Sequence, residues 1–262
     1  MSNLQVLIST MHQQDHQFIK SMNLNSDAII INQTNTTSAS EVIYENHTIQ
    51  FYSFSERGVG LSRNNALMRA TADICILADD DVMYDEGYGQ KIIQSFKSIP
   101  DADVIIFNLP SLNPDRPEYI IKKKTRVRKL NSLRYGASRI AFRTHKLHST
   151  NVTFSLLFGG GAKYSSGEDS MFVYQCIQAG LKVYAVPDRL GTLRQEESTW
   201  FEGYTTKFFL DKGSFFKNLS PRMALIYAWY YAVRNYKKFN TDMKLPTIIR
   251  LLNKGVKQYG QK

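Results

Sequence analysis

Short apolar runs recur along the first 186 residues of the chain, and stretches with helical spacing of apolar positions separate them. The runs predict strands, at residues 4–9, 28–31, 49–54, 74–78, 104–109, 140–143 and 183–186. The stretches between them predict helices, at residues 15–23, 61–72, 86–98 and 168–180. Strands that alternate with helices indicate βαβ units, so the pattern predicts an α/β fold with a mostly parallel sheet.

Polar stretches predict two loops and a domain boundary. Residues 32–40 are rich in Asn and Thr, and residues 113–129 are polar, basic and interrupted by proline. Because neither has apolar periodicity, we expect a loop at each of them. From residue 199 the composition becomes aromatic and basic, which predicts one domain over residues 1–198 and a helical C-terminal extension over residues 199–262.

One amphipathic helix is predicted within this extension, at residues 221–236. Five residues form its apolar stripe, namely Met223, Ile226, Tyr227, Tyr230 and Val233. Basic residues lie near its ends, namely Arg222, Arg234, Lys237 and Lys238. Two interpretations stay open: the stripe packs on the main domain, or the cationic helix contacts a membrane surface.

The composition is that of an ordinary globular protein, since 43% of the 262 residues are hydrophobic and 21% are charged. Cys75 and Cys176 lie in apolar runs and are predicted to be buried thiols rather than a disulfide or a metal pair. The five histidines show no zinc-binding spacing. Residues 1–10 are too polar for a signal peptide, and no apolar run approaches the ~20 residues that span a bilayer, so we expect a cytoplasmic protein.

The formal charge of +10 favours anionic partners, which are nucleic acid, acidic lipid or phosphorylated substrates. The basic residues concentrate between Lys122 and Lys129 and again from Lys207 onward. They do not form one stripe or one helix, and no recognised nucleic-acid motif accompanies them. We therefore expect no nucleic-acid partner, although a non-enzymatic anion-binding protein stays open as an alternative.

Three acidic residues, Asp79, Asp80 and Asp81, directly follow the apolar run at residues 74–78. Adjacent carboxylates repel one another, so their burial requires a cation that offsets the repulsion. Mg²⁺ and Mn²⁺ take oxygen ligands and often bridge carboxylates to substrate phosphates, and ligands bind at the carboxyl ends of parallel strands. The triplet therefore predicts a metal–diphosphate site, and the alternative is a solvated acidic turn that opens the next helix.

A glycine-containing segment precedes the helix predicted at residues 61–72. Gly58 and Gly60 allow a close approach of the backbone to a ligand, and Arg63 and Asn64 would lie in the first turn of the helix. Helix N-termini favour anions, and an arginine can fork two hydrogen bonds onto a phosphate. The segment has neither a Walker motif nor a dinucleotide fingerprint, and its alternative interpretation is a helix cap with a solvated arginine.

Two later segments carry further candidate chemistry. Glu168 and Asp169 follow Gly167 and open a helix, which suits a general base aimed at a substrate hydroxyl, although the helix dipole alone favours acidic residues there. The run from Arg194 to Tyr204 mixes polar and aromatic residues, and its Trp200 could stack on a sugar ring. The alternative for this run is an ordinary surface loop.

In their order along residues 4–195, these features resemble the family 2 glycosyltransferases, which are inverting enzymes of the GT-A fold. The resemblance rests on the opening strand and on four short motifs: Ser62-Arg63-Asn64, Ala70-Thr71-Ala72-Asp73, Ala78-Asp79-Asp80-Asp81 and Gly167-Glu168-Asp169. It is closest to bacterial members that build capsular or O-antigen polysaccharides on lipid-linked acceptors. It implies a Rossmann-like, mixed and mostly parallel sheet flanked by helices, with the C-terminal helical extension added to it.

The resemblance also implies roles for individual residues. Asp79 and Asp81 match the positions that hold Mg²⁺ or Mn²⁺, and Asp169, with Glu168 beside it, matches the catalytic base. Donor contacts are implied for Ser9, Thr10, Gln33, Arg57, Gly60, Arg63, Asn64, Asp79 and Asp80. Acceptor contacts are implied for Gly160, Gly161 and Trp200.

Two departures from the family pattern bear on the donor and the metal. Asn32 and Gln33 stand where many members have an aspartate that contacts uracil, although an amide also reads a uracil edge. Gln195 stands near the place of a histidine that serves as an extra metal ligand in other members.

The implied reaction is an inverting hexosyl transfer from a nucleoside-diphosphate sugar, expected to be a UDP-sugar, to a hydroxyl of a lipid-linked glycan. The protein would then act in the cytoplasm, with a peripheral contact at the inner face of the plasma membrane, and an oligomer is compatible with the sequence. The nearest alternative is a sugar-phosphate nucleotidyltransferase. The Gly-rich, basic loop that such enzymes have after their first strand is replaced here by residues 10–14, Thr-Met-His-Gln-Gln.

Overall fold

The computed structural model of the protein describes residues 3–195, 203–239 and 241–260. Two compact units divide this part of the chain. The first holds the described residues of Met1–Phe154 and Asp169–Glu197, and the second holds those of Ser155–Glu168 and Ser198–Lys262. No helix among the described residues is long and apolar enough to cross a membrane.

The strands described in the first unit form a nine-stranded mixed sheet and a separate two-stranded sheet. The strands are β1 Leu4–Met11, β2 Asp27–Gln33, β3 Ser38–Tyr44, β4 His47–Phe54, β5 Ile74–Asp79, β6 Val82–Tyr84, β7 Val104–Asn108, β8 Thr125–Arg126, β9 Ile140–Arg143, β10 Val183–Arg189 and β11 Gly191–Leu193. The order in the sheet is β3-β4-β2-β1-β5-β9-β7-β10-β8, and β11 pairs with β6 separately. Strands β4, β2, β1 and β5 run parallel, as do β7 and β10, whereas β3, β9 and β8 are antiparallel to their neighbours. The predicted mixed, mostly parallel α/β sheet is therefore confirmed.

Eight α-helices accompany these strands in the described part of the chain. They are α1 Phe18–Ser21, α2 Val59–Arg69, α3 Tyr88–Ser98, α4 Thr144–His148, α5 Glu168–Gln178, α6 Thr206–Leu219, α7 Ala224–Asn235 and α8 Leu245–Gln258. Helix α1 has only four residues of the nine predicted at 15–23. Helices α6 and α8 add two elements to the C-terminal region, where only residues 221–236 were predicted as a helix.

The central strands bury both of their faces, which explains their continuous apolar runs. Along β5, Ile74 and Ile76 belong to one core cluster, whereas Cys75 and Leu77 belong to the other. The free thiols of Cys75 and Cys176 are both buried, as predicted. Burial raises the pKa of each thiol to about 12.

The loop predicted at residues 32–40 is wrong at both ends, because β2 continues to Gln33 and β3 begins at Ser38 and pairs antiparallel with β4. Glu45 and Asn46 connect the two strands with positive φ angles of 47° and 66°, which are typical of a type I′ hairpin turn. Strand β3 lies at the sheet edge with mostly exposed side chains, so it lacks the apolar alternation that identifies a half-buried strand.

The region of β10 and the long loop before it also differ from the prediction. The strand expected to end at residue 186 continues through Pro187 to Arg189, and its register with β7 is interrupted after Ala185. Proline has no N–H to donate, so it is tolerated where a ladder is irregular. The predicted loop at residues 113–129 contains the two-residue strand β8.

Helix α7 buries a different face from the one that the sequence suggests. Its buried residues are Ala224, Ala228 and Ala232. The predicted stripe is instead exposed at Met223, Ile226, Tyr230 and Val233, and half-buried at Tyr227. The three alanines, together with the rings of Tyr227 and Tyr231, therefore make the intramolecular contacts of this helix. The other large apolar side chains face solvent.

In the second unit, helices α6 and α8 touch through glycines. A Cβ atom on Gly213 would overlap the carbonyl oxygen of Leu252, and one on Gly255 would overlap the carbonyl oxygen of Leu210. The two backbones therefore approach as closely as glycine allows.

We expect Gly213→Ala to lower the free energy of unfolding of the second unit by about 1–3 kcal/mol, because α6 and α8 must move apart. The higher helix propensity of alanine, worth about 1 kcal/mol, offsets only part of this loss. Urea denaturation followed by circular dichroism measures the change. Gly89→Ala in α3 is the matched control, since its Cβ meets only the Leu4 side chain, and equal stability of the two variants would contradict the interpretation.

Candidate active site

The carboxyl ends of β1, β2 and β5 form one edge of the sheet, where the predicted site residues converge. Parallel pairing aligns Ser9 with Asp79 and Met11 with Gln33. The Gln33 side chain accepts a hydrogen bond from the N–H of Gly58 at 2.7 Å, and α2 begins one residue later. Gly58 has φ 124°, a conformation that favours glycine. The start of α2 therefore lies at the same edge of the sheet as Asp79, the last residue of β5.

Arg63 on α2 joins two of the predicted acidic residues. Its side chain is buried, and its Nη2 donates to both carboxylate oxygens of Asp79, at 3.1 and 3.2 Å. Its Nη1 donates to Oδ1 of Asp169 at 2.6 Å. One guanidinium therefore spans the acidic triplet after β5 and the carboxylate at the start of α5. Arginine suits this position because its planar fork binds two carboxylates at once.

A short 3₁₀ turn, Ala137–Arg139, completes this cluster. The Ser138 hydroxyl donates to Oδ2 of Asp79 at 2.6 Å, and the Ala137 N–H donates to Oδ2 of Asp169 at 3.1 Å. Sequence reasoning missed both residues, because neither carries a charge or belongs to a recognisable motif. Their position just before the predicted strand at residues 140–143 was the one available signal.

Asp80 is held by the end of β1 and by the turn that follows it. Its Oδ2 accepts a short hydrogen bond from the Thr10 hydroxyl and another from Nε2 of Gln13 at 3.0 Å. The backbone of Gln13 in turn exchanges two hydrogen bonds with the Asn32 side chain, at 3.1 and 3.0 Å. Thr10 was predicted and Gln13 was not, since a glutamine in a polar turn has no distinguishing signal. The turn therefore positions Asp80 relative to β2.

Asp81 is the carboxylate with the most perturbed environment. Burial, followed by the charges of Asp79 and Asp80, raises its pKa to about 6. Its Oδ2 accepts a hydrogen bond from the N–H of Gln195 at 3.3 Å, and the Gln195 side chain contacts Ser111 and Glu118. Within the described residues, no lysine or arginine forms an ion pair with Asp80 or Asp81.

The oxygen donors at this edge fit a hard divalent cation. A cation next to Asp81 would offset the repulsion that raises its pKa, and Asp79 and Asp81 are the predicted ligands. No group of three or more His, Cys, Asp or Glu side chains that could hold a metal occurs in the described ranges. The protein would therefore supply two carboxylates, with substrate phosphates and water filling the remaining positions, as Mg²⁺ prefers.

We expect Asp81→Asn to stabilise the metal-free protein at pH 7 by up to about 3 kcal/mol. The folded-state pKa of Asp81 lies above its unfolded value, so the wild type loses stability as the pH rises from about 4 through about 6. Urea unfolding in EDTA between pH 4 and 7.5 measures this, and the advantage of the variant should shrink toward pH 4. Adding Mn²⁺ should stabilise the wild type alone.

The exposed Asp115 offers a matched control in the same unit. Asp115→Asn removes the same charge without relieving a carboxylate cluster, and we expect a change within about 0.5 kcal/mol. Equal stabilisation by the two substitutions would contradict the assigned repulsion at Asp81.

Other predicted donor residues make mainly structural contacts. The Ser62 hydroxyl donates to the buried Ser9 hydroxyl at 3.0 Å. The Asn64 amide exchanges two hydrogen bonds with the backbone of Phe154, at 2.9 and 2.7 Å. Arg57 is exposed and donates to the carbonyl of Thr34 and to the side chain of Asn35, both at 2.7 Å. Gly60 is buried in the first turn of α2. The polar side chains of these residues therefore bind neighbouring groups of the protein and fix the local structure at this edge of the sheet.

The remaining predicted residues lie outside this cluster of contacts. Gly160, Gly161 and Glu168 belong to the second unit, and Oε2 of Glu168 accepts the N–H of Gly167 at 3.1 Å. Trp200 lies outside the described residues. The structure thus brings together Thr10, Arg63, Asp79, Asp80, Asp81 and Asp169 in one hydrogen-bonded edge of the first unit.

Solved structures share this fold at low sequence identity. The structure of TarS 1–349 from S. aureus in complex with UDP-GlcNAc has a TM-score of 0.61 at 13% identity, covering 97% of this chain and 71% of that one. The TarS 1–349 complex with UDP has a TM-score of 0.56, also at 13% identity, covering 98% of this chain and 71% of that one. The mannosyltransferase PcManGT from Pyrobaculum calidifontis, in complex with GDP-Man and Mn²⁺, has a TM-score of 0.51 at 12% identity, covering 94% and 68%.

Comparison at the level of sequence gives a family assignment. No curated protein sequence matches the chain. The family model described as "Glycosyl transferase family 2" matches residues 4–158, which is more than half of the chain and includes Arg63 and Asp79–Asp81. The protein therefore belongs to glycosyl transferase family 2 and is a glycosyltransferase with the GT-A fold.

Proposed function

We propose that the protein transfers a hexose, with inversion at the anomeric carbon, from a UDP-sugar to a hydroxyl of a glycan acceptor. The observation that carries this proposal is the Arg63 bridge between Asp79 and Asp169. It places a carboxylate on α5 within reach of the same guanidinium that holds the acidic triplet. A donor diphosphate beside the triplet would then have its sugar close to Asp169.

Asp169 is the proposed general base. Arg63 and the Ala137 N–H both donate hydrogen bonds to its carboxylate, so they limit its rotation. A positioned carboxylate that removes the proton from the acceptor hydroxyl lets that oxygen attack opposite the leaving diphosphate. Attack from the opposite side inverts the anomeric centre.

Asp79 and Asp81 are the proposed ligands of Mg²⁺ or Mn²⁺, whose chemistry when bound is to neutralise the charge of the leaving diphosphate. Thr10 and Gln13 hold Asp80, which would face the ribose or the sugar of the donor. The side chain of Gln33, whose amide oxygen accepts the Gly58 N–H, is the proposed substitute for a uracil-binding aspartate. UDP and UDP-GlcNAc in the TarS complexes support uracil as the base, and Mn²⁺ in the PcManGT complex supports the metal.

The proposed acceptor is a lipid-linked intermediate of bacterial capsule or O-antigen synthesis, handled at the cytoplasmic face of the plasma membrane. Gly160, Gly161 and Trp200 keep their predicted role as acceptor contacts. The net charge of +10 would attract both proposed substrates, because the donor is a dianion and the acceptor carries a lipid diphosphate.

Product analysis with a panel of UDP-hexoses and Mn²⁺ tests the proposal. Membrane lipid extracts serve as acceptors, and UDP release is measured together with the anomeric configuration of the product by proton NMR. We expect UDP release that depends on the extract, with a product of opposite configuration to the donor. Pyrophosphate release from UTP and a sugar 1-phosphate would instead identify a nucleotidyltransferase, and a retained configuration would exclude the inverting mechanism.

A further inference from the structure

Helix α7 presents a wide apolar face to solvent. Five large side chains line it, with exposed fractions between 47% and 63%, namely Leu225, Ile226, Trp229, Tyr230 and Val233. At 100° per residue, one side of the helix is shared by Ile226, Trp229, Tyr230 and Val233, and Leu225 lies at its margin near the position of Ala232. The buried Ala224, Ala228 and Ala232 lie on the other side. A surface helix normally buries its large apolar residues. The reversed arrangement in α7 therefore indicates an interaction surface.

A basic groove lies beside this face, along α8. Its volume is ≈ 590 Å³, and Arg250, Lys254 and Lys257 line it together with Pro246 and Ile249. All three cations are exposed. Trp229 links the two features, because its Nε1 donates to Oδ1 of Asn253, another residue of the groove, at 3.0 Å.

The charge of the C-terminal region indicates which kind of partner can bind the apolar face of α7. Residues 199–262 contain 12 lysines and arginines but only three acidic residues, so they carry nine of the ten net positive charges of the chain. Two copies of such a surface repel each other, whereas an anionic surface is attracted to it. A nucleic acid would match the charge but would leave Leu225, Ile226 and Val233 uncovered in water.

We propose that α7 and α8 dock the protein on an anionic lipid bilayer. The apolar face of α7 enters the boundary between headgroups and acyl chains, and the α8 groove binds lipid phosphates. Amphipathic helices with aromatic and aliphatic residues on one side and cations beside them bind membranes in this way. Trp229 and Tyr230 suit the interface because each has an apolar ring with a polar tip. The inference goes beyond sugar transfer and does not depend on it, since the surface lies entirely within the second unit.

Vesicle flotation with the full chain tests the proposal. Vesicles of phosphatidylcholine alone are compared with vesicles that contain 30% phosphatidylglycerol, at low salt. We expect binding only to the anionic vesicles, and a loss of about 100-fold in affinity for the triple variant Arg250→Gln, Lys254→Gln, Lys257→Gln. The double variant Ile226→Ser, Trp229→Ser should lose about tenfold or more.

Matched controls come from the first unit. Lys122→Gln, Lys123→Gln, Lys124→Gln removes the same charge from three exposed lysines, and Ile43→Ser, Leu130→Ser removes two exposed apolar side chains. Both control variants should bind anionic vesicles like the wild type. Equal losses in the basic control and in the α8 variant would overturn the proposal in favour of non-specific charge attraction.

Tryptophan fluorescence separates insertion from simple adsorption. The chain has two tryptophans, so Trp200→Phe leaves Trp229 as the single reporter. We expect a blue shift with anionic vesicles and quenching by brominated acyl chains. Three results would each overturn docking on lipid. The first is no blue shift, and the second is a dimer in solution that the Ile226→Ser, Trp229→Ser variant dissociates. The third is binding to an RNA oligonucleotide that equals binding to the vesicles and that this double variant leaves unchanged. None of these outcomes bears on UDP release, so docking and transfer fail separately.

Discussion

Asp169→Asn is expected to lower the rate of sugar transfer by about 10²–10⁴-fold, the range typical of a lost general base. Asparagine has the same shape, and its single amide oxygen can accept a hydrogen bond from either the Ala137 N–H or Arg63, but it cannot take a proton from the acceptor. We expect the donor dissociation constant to stay within a few-fold of the wild-type value. UDP release measures the rate, and calorimetric titration with the donor measures the affinity.

Glu168→Gln is the comparison that assigns the base to one of two adjacent carboxylates. The Glu168 carboxylate accepts the N–H of the neighbouring Gly167. The Asp169 carboxylate instead binds Arg63, which also binds Asp79 of the acidic triplet. We therefore expect the Glu168 variant to retain much more activity than the Asp169 variant. Full activity in Asp169→Asn, or the reverse order of the two variants, would contradict the assignment.

Arg63→Met is expected to lower the free energy of unfolding by about 2–3 kcal/mol at pH 7 and to abolish transfer. Methionine fills much of the arginine volume but leaves the carboxylates of Asp79 and Asp169 without this cation. Removing one partner of a fully buried ion pair costs about 3–5 kcal/mol. We expect less here because Asp79 and Asp169 are 35% and 27% exposed and water screens them in part.

Arg69→Met, in the same helix, is the matched control. Arg69 lies over the rings of Tyr52 and Phe54, at 4.8 and 5.3 Å, and donates to the carbonyl of Asn65. Its loss should cost about 1 kcal/mol or less. Equal losses in the two variants would show that Arg63 contributes packing only.

The parts of the site that the sequence predicts are those in which a strong local pattern meets a topological rule. The apolar run of β5 is recognisable because both faces of this strand are buried, and the acidic triplet follows it directly. Parallel strands place their carboxyl ends at one edge, so the triplet and the start of α2 could be expected there. Arg63 was predicted at this edge as a nucleotide contact, whereas the structure shows it paired with two carboxylates.

The parts that the sequence does not predict depend on contacts between distant segments. Ser138 and Ala137 meet Asp79 and Asp169 through a 3₁₀ turn whose residues have no distinctive pattern. Periodicity finds an amphipathic helix but not the side on which it packs, so it left open whether α7 buries the stripe that its structure exposes. Alanine at every fourth position of α7 was the overlooked signal, because small side chains allow the close approach of another helix.

Calorimetric titration with nucleotide sugars is the most direct test of the proposed metal–diphosphate site. The wild type and Asp81→Ala are titrated with UDP-GlcNAc, UDP-glucose and GDP-mannose, each with Mn²⁺ and with EDTA. We expect a UDP-sugar to bind the wild type in Mn²⁺, and either EDTA or Asp81→Ala to weaken this binding at least tenfold. Absence of binding by every nucleotide sugar, or binding that neither EDTA nor Asp81→Ala changes, would contradict the proposed metal–diphosphate site.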